Sequence, residues 1–219
     1  MKTKIKICCI STEEEAKTAL EFGANVLGLV AKMPSGPGTI DDGLIKKIVK
    51  SIPSETLTFL LTPKTNPYDI IEHQRLTGTN CIQLVDAVKI EDYQILRDNL
   101  PNIKLIQVVH VIDESSVEEA KQYAKVADMI LLDSGNPNLA IKELGGTGRV
   151  HNWELSREIV ESISKPVFLA GGLKPENIRD AIEYVKPYGL DICSGVRTEG
   201  KLDKEKLKRF FEEVKKANS

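Results

Sequence analysis

Pro166-Val167-Phe168-Leu169-Ala170-Gly171-Gly172 and Leu190-Asp191-Ile192-Cys193-Ser194-Gly195 are two short, mostly apolar runs that each end in glycine. Runs of this length read as buried parallel strands. Glycine at the strand end lets a backbone N–H approach an anion with no Cβ in the way. Each run is followed by polar residues and then a helical pattern, so the pair reads as a phosphate cradle. In a (β/α)8 barrel the phosphate site is frequently built from the loops after strands seven and eight.

Outward from these runs, strand-like and helix-like segments alternate along the whole chain. Strands are expected at 4–10, 25–31, 56–62, 81–86, 104–111, 129–134, 166–172 and 189–194. Helices are expected at about 12–22, 42–51, 67–76, 90–99, 114–126, 153–163, 175–185 and 203–217. Ser11 or Thr12 with Glu14 and Glu15 announces the first helix, close to a capping box. Pro175 suits the first turn of the seventh. Trp153 is expected to anchor the start of the sixth. Eight β/α units with valine- and isoleucine-rich strands imply a closed parallel barrel. An open doubly wound sheet competes, but no Gly-x-Gly-x-x-Gly follows the first strand. The expectation is one α/β TIM-barrel domain over 1–219, with Lys215 to Ser219 as a fraying tail.

The 219 residues carry a formal charge of −2. That balance leaves no electrostatic footprint for nucleic acid or an anionic membrane. No apolar run approaches the roughly 20 residues that span a bilayer, and the N-terminus enters a strand without the apolar core of a signal peptide. The four cysteines Cys8, Cys9, Cys81 and Cys193 show no paired metal spacing and no small disulfide framework. A reduced cytoplasmic protein is expected, with no metal. Helix faces that pack on a barrel and on a partner look alike in the pattern, so oligomeric state is left open.

Reactive groups of such a barrel belong at the C-terminal strand ends. Cys8, Gln83 and Asp133 fall there on strands one, four and six. Strand alternation turns Lys6 and Cys8 inward and leaves Ile5, Ile7 and Cys9 facing helices. The same parity turns Leu131 and Asp133 inward. A thiol and a carboxylate would then face each other across the mouth. Lys6 is expected to form a core ion pair with Asp191.

Lys6-Ile7-Cys8, Leu131-Leu132-Asp133, Gly145-Gly146-Thr147-Gly148, Leu169-Ala170-Gly171-Gly172-Leu173 with Pro175-Glu176-Asn177, and Asp191 with Ser194-Gly195-Val196 together resemble phosphoribosylanthranilate isomerase. The resemblance covers nearly the whole chain and is densest over 129–211. It implies a (β/α)8 barrel of tryptophan biosynthesis that performs an Amadori rearrangement without cofactor or metal. It also implies Cys8 as general base and Asp133 as general acid. Asp133 would protonate the furanose ring oxygen, and Cys8 as thiolate would take the proton from C2′. The expected substrate is a small phosphorylated ribosylamine. Gly146, Gly148, Gly171, Gly172, Ser194 and Gly195 are expected around its phosphate and sugar, with Gln83 and Arg197 nearby. Gly135 to Gly148 is long for a βα loop and reads as a lid.

Three positions depart from the family pattern. Gly38 stands where the family places an arginine for the anthranilate carboxylate. Val85-Asp86 replaces His-Gly after Gln83-Leu84, and Cys9 replaces the glycine after the cysteine. A carboxylate entering a partly dry pocket without a charged partner loses several kcal/mol. His110, Arg149, His151 and Arg197 are also new to the pattern, and each reads more readily as a surface or capping residue than as a ligand; Arg197, just beyond Ser194-Gly195, is the best placed to reach a ligand. Two alternatives follow: a sibling isomerase acting on a different phosphoribosylamine, and a non-catalytic phosphosugar-binding barrel.

Overall fold

The computed structural model describes residues 2–218. Eight parallel strands close in sequence order: β1 (Lys4–Ile7), β2 (Val26–Val30), β3 (Leu57–Thr62), β4 (Cys81–Leu84), β5 (Lys104–His110), β6 (Met129–Asp133), β7 (Val167–Leu169) and β8 (Gly189–Ile192). Seven helices follow the first seven strands: α1 (Glu13–Glu21), α2 (Asp42–Ser51), α3 (Pro67–Thr77), α4 (Asp92–Asn99), α5 (Ser115–Tyr123), α6 (Trp153–Ser162) and α7 (Ile178–Val185). After β8 come a single 3-10 turn (Ser194–Val196), a hairpin of β9 (Arg197–Thr198) and β10 (Lys201–Leu202), and α8 (Lys204–Ala217). None of the described helices is long and apolar enough to cross a membrane.

Side chains that fold the helices down are written at their starts. Thr12 Oγ1 accepts from Glu15 N at 3.0 Å, and the Glu15 carboxylate reaches back to Ser11 N at 3.0 Å. Asp41, Asn66, Asn152 and Asp203 cap α2, α3, α6 and α8 in the same way. The seventh helix starts later than expected. Pro175-Glu176-Asn177 forms a turn, in which Asn177 Oδ1 accepts from Lys174 N and Nδ2 donates to Gly172 O. That turn ties the first residues after β7 in place. The strands β1, β4, β7 and β8 stop two to three residues short of their expected ends; beyond them only single backbone bonds continue the pairing, such as Cys8 N to Ile192 O and Ala170 N to Leu132 O, each at 2.8 Å. The expected fraying tail is also absent: α8 runs to Ala217, and Asn218 Oδ1 accepts from Thr3 N at 3.1 Å. Ser219, the end of that expectation, lies outside the described residues.

Two apolar layers follow from strand alternation. Ile5, Ile7, Leu27, Leu29, Ile130 and Leu132 pack outward on the helices. Val26, Phe59, Ile106, Val108, Leu131 and Phe168 fill the barrel interior. Phe168 stacks edge-on against Phe59 at 5.9 Å and Tyr188 at 5.7 Å, so it has no free space in which to turn. A Cβ on Gly189 would lie 2.4 Å from Phe168 Cε1. Gly189→Ala should therefore destabilise the barrel by about 1–3 kcal/mol through overpacking, read as a lower urea midpoint. An unchanged midpoint would show that the interior is looser than this packing implies.

Candidate active site

At the C-terminal mouth of the barrel the loops after β1, β2, β6, β7 and β8 enclose a cleft of about 670 Å³, its open side included. Cys8, Gln83 and Asp133 all line it, as the strand parity requires. So do Gly146, Gly148, Gly171, Gly172 and Ser194. Beneath the cleft, with Asp191 reaching its lining and Lys6 fully buried below, lies an ion pair, Lys6 Nζ 2.6 Å from Asp191 Oδ2, across the β1–β8 seam where the two are direct partners. Gly28, inside β2, makes room for this arrangement. A Cβ there would sit 2.8 Å from Cys8 Sγ and 3.0 Å from Lys6 Cε. A glycine inside the apolar Val26-Leu27-Gly28-Leu29-Val30 run was the sequence signal for that close approach.

The environment drives the two reactive groups toward opposite ionisation states. Burial pushes the Asp133 carboxyl up to about 6, with the Asp191 charge adding to it, while the Ser134 N–H and Lys6 pull the other way. Cys8 is held below the ordinary thiol value. A hydrogen bond from the Cys9 thiol contributes most, burial opposes it, and the Lys6 ammonium helps. Cys9 itself is pushed well above the ordinary value by its hydrogen bonds with Cys193 and Cys8 and by burial. The adjacent thiols are thereby pushed apart, Cys9 toward the protonated form and Cys8 toward the thiolate. Burial works against the Lys6 charge, but Asp191 and Cys8 outweigh it, so the lysine stays an ammonium. Gln83 Oε1 and Asp191 Oδ1 are buried with no hydrogen-bond partner among the described residues. Both residues line the cleft, and an unpaired buried acceptor there is costly until a ligand reaches it.

Cys9 departs from the expected alternation. Its φ of 61° turns the chain left-handed at the end of β1, and the side chain enters the mouth instead of facing helices. There it meets Gly38, where a Cβ would lie 2.5 Å from Cys9 Cβ and 3.1 Å from its Sγ. The two positions are therefore sterically coupled: the Cys9 side chain fills the space that a side chain at position 38 would take. Two glycines at positive φ, Gly36 and Gly38 on either side of Pro37, let the β2 loop make the turn.

The loop 134–152 covers one side of the cleft. Gly145 lies so close over Asp133 that a Cβ would fall 2.7 Å from Oδ2, and Gly146 packs on Pro37. Ser134 Oγ and Thr147 Oγ1 are 2.6 Å apart, and Ser35 Oγ donates to Lys142 O at 2.6 Å. Gly172 packs under Arg149 and Val150, and Gly171 under Ser134 and His151. Gly148 faces Ser194 across the gap, with the Gly148 Cβ position 3.9 Å from Ser194 Oγ.

Two expected ligands are placed elsewhere. Gly195 sits behind Ser194, outside the cleft lining, where a Cβ would meet Leu173 O at 2.1 Å. Its glycine is needed for that close packing of the β7 and β8 loops. Arg197 is buried away from the cleft. Its Nη1 donates to Glu15 Oε1 and Gly200 O, each at 2.9 Å. Its Nη2 donates to Cys9 O at 2.6 Å, Cys8 O at 3.2 Å and Glu15 Oε2 at 3.2 Å. Arg197 is thus a strut that fixes the backbone of the reactive thiols, neither a phosphate ligand nor a surface group. Burial would raise the Glu15 carboxyl, but Arg197 and the N–H groups of Leu202 and Ser11 hold it below its usual range.

The remaining new charges do not enter the cleft either. Asp86 is paired with Lys142 at 2.5 Å, and exposed Arg149 with Glu143. His110 is a buried side chain of β5, not a surface residue, with Nε2 3.2 Å from Val85 O. Burial lowers its basicity, and brings His151, whose Nε2 lies 2.7 Å from Ser156 Oγ, down to about 4. No arginine, lysine or histidine is among the residues lining the cleft. Val30, at the end of β2, and Met33 and Leu144, in βα loops, line it instead, and apolar residues at such places carry no distinctive sequence pattern.

The sequence-family model of N-(5′-phosphoribosyl)anthranilate (PRA) isomerase matches residues 5–213. The N-(5′-phosphoribosyl)anthranilate isomerase of Methanocella arvoryzae is 33% identical over 214 residues, covering 97% of this chain and 98% of the relative. That of Bacillus anthracis is 37% identical over 216 residues, covering 98% and 99%. Among solved structures, phosphoribosyl anthranilate isomerase from Thermotoga maritima superposes with a TM-score of 0.83 at 29% identity, covering 98% of this chain and 99% of that one. A phosphoribosyl anthranilate isomerase solved with reduced 1-(o-carboxyphenylamino)-1-deoxyribulose 5-phosphate gives 0.81 at 27% identity, with the same coverage. The chain belongs to the N-(5′-phosphoribosyl)anthranilate isomerase family.

Proposed function

We propose that this protein rearranges N-(5′-phosphoribosyl)anthranilate to the 1-amino-1-deoxyribulose 5-phosphate product, with Asp133 as general acid and Cys8 as general base. The observation that carries the proposal is the meeting of these two groups, from β6 and β1, in one cleft with opposite protonation preferences. Asp133 as the neutral acid protonates the furanose ring oxygen, and the ribosylamine opens to a Schiff base. Cys8 as thiolate removes the C2′ proton, and the resulting enolamine tautomerises to the ketose. Proton transfers of this kind contribute about 10²–10⁴-fold each. The phosphate sits against the backbone of Gly148, Gly171, Gly172 and Ser194, all of which line the cleft. Gln83 Oε1 accepts from a sugar hydroxyl. Met33, Val30 and Leu144 flank the aromatic ring, and loop 134–152 acts as the lid. The four cysteines are free thiols, which supports the cytoplasm as the setting.

One observation favours a second reading. With no cationic side chain lining the cleft, a phosphoribosylamine whose aglycone is uncharged would fit without an unpaired carboxylate. Turnover of phosphoribosylanthranilate, followed by loss of its fluorescence, separates the readings. Wild-type protein should consume it, and no turnover would leave the sibling substrate as the better account.

Cys8→Ser and Asp133→Asn should each lower kcat by about 10²–10⁴-fold with little change in KM. Undiminished kcat in either variant would remove that residue from the mechanism.

Asp133 also links function to stability. Its folded-state carboxyl titrates near 6 against an ordinary 3.8, so folding favours the protonated form. The associated stability is complete below the ordinary carboxyl value and is lost as pH rises through about 6. Relative to Asp133→Asn, wild type should lose on the order of 2–3 kcal/mol between about pH 4 and pH 7. A stability difference that stays constant across that range, in urea unfolding, would contradict the buried acid.

A further inference from the structure

Cys9 and Cys193 come from opposite sides of the β1–β8 seam, just past the two strand ends that the Lys6–Asp191 pair joins. Their Sγ atoms are 2.7 Å apart, with both thiols reduced. A disulfide bond is about 2.04 Å long, so joining the two requires closure of about 0.7 Å. Three constraints hold the sulfurs there. Arg197 fixes the Cys9 carbonyl at 2.6 Å, the left-handed backbone at Cys9 aims the side chain inward, and Gly38 leaves the space it occupies. Both cysteines line the cleft, Cys193 being the more exposed, so a small reagent reaches them through the mouth.

We propose that Cys9 and Cys193 form a reversible disulfide that lowers the activity of the isomerase site when a low-molecular-weight disulfide is present as oxidant. Cys193 as thiolate attacks one sulfur of the reagent, whose S–S bond breaks and releases one thiol. Cys9, giving up its proton, then attacks Cys193 Sγ and expels the second thiol. Two protein thiols lose two electrons and two protons, and one reagent disulfide becomes two thiols. The consequence for activity rests on the isomerase reading; the cross-link does not. Once its sulfur is bonded to Cys193, Cys9 has no S–H, neither for Pro37 O, to which it donates at 3.6 Å, nor beside Cys8. The same bond ties the reactive end of β1 to the residue before Ser194. The base and the phosphate loop are thereby altered together.

The test equilibrates the folded chain in hydroxyethyl disulfide and 2-mercaptoethanol at graded ratios, followed by acid quench, mass measurement and peptide mapping. The expected result is loss of two hydrogens and a Cys9–Cys193 cross-link, with turnover at least about tenfold lower and restored by dithiothreitol. Cys193→Ser should form no cross-link and keep its turnover in the same buffers. A cross-link involving Cys8, mixed disulfides only, or full turnover by the cross-linked protein would overturn the proposal. Absence of turnover in the fully reduced protein would instead overturn the isomerase reading. In that case a failure to form the Cys9–Cys193 cross-link would still overturn the proposal, and its formation would support the redox site.

Discussion

The buried Lys6–Asp191 ion pair is the interaction on which the rest of the mouth depends. It joins the first strand to the last, at the seam where the barrel closes, and its lysine is fully buried. Two charges out of water persist only where their geometry is good, and removing one partner of such a pair costs about 3–5 kcal/mol. Its larger effect is on its neighbours. Burial does most to keep Asp133 protonated and the Cys9 thiol most to favour the Cys8 thiolate, and the pair adds to both: Lys6 outweighs Asp191 at Cys8, and Asp191 outweighs Lys6 at Asp133. One pair of fixed charges therefore pushes the candidate base and acid in opposite directions. That separation is the requirement for a site that must hold a carboxylic acid and a thiolate at once.

Above that pair, Cys9 on the β1 loop and Gly38 on the β2 loop touch, so that a side chain at either position leaves no room for one at the other. The Cys9 thiol lies beside Cys8 and donates to Pro37 O at 3.6 Å, and Gly38 leaves the β2 loop without a side chain at that point. Arg197 then takes a new part. By holding the carbonyls of Cys8 and Cys9 it stabilises the left-handed turn that brings the second thiol inward, and Glu15 balances its charge.

Much of this was legible in the residues because it follows from periodicity. Strand parity is a two-residue rule, so Lys6, Cys8, Leu131 and Asp133 could be placed inside from their spacing alone, and the Lys6–Asp191 pair with them. Glycine-ended strands marked the phosphate side for the same reason. What escaped were features set by contacts between distant loops. Cys9 obeys parity until its backbone turns to positive φ, and nothing local to Cys9 announces that. The role of Arg197 depends on carbonyls nearly two hundred residues away in sequence. Gly195 resembled a phosphate glycine but is required by the approach of Leu173. Pro175 fits a first helical turn, yet the Asn177 side chain holds that segment as a turn instead.

The most direct test of the acid–base pair is the pH dependence of kcat/KM for phosphoribosylanthranilate. Activity requires Cys8 deprotonated and Asp133 protonated together, so either order of the two ionisations gives a bell. One limb should fall near pH 6, where the buried Asp133 carboxyl titrates. It should be missing from the residual activity of Asp133→Asn. A wild-type profile with no inflection between about pH 5 and pH 7 would contradict the account.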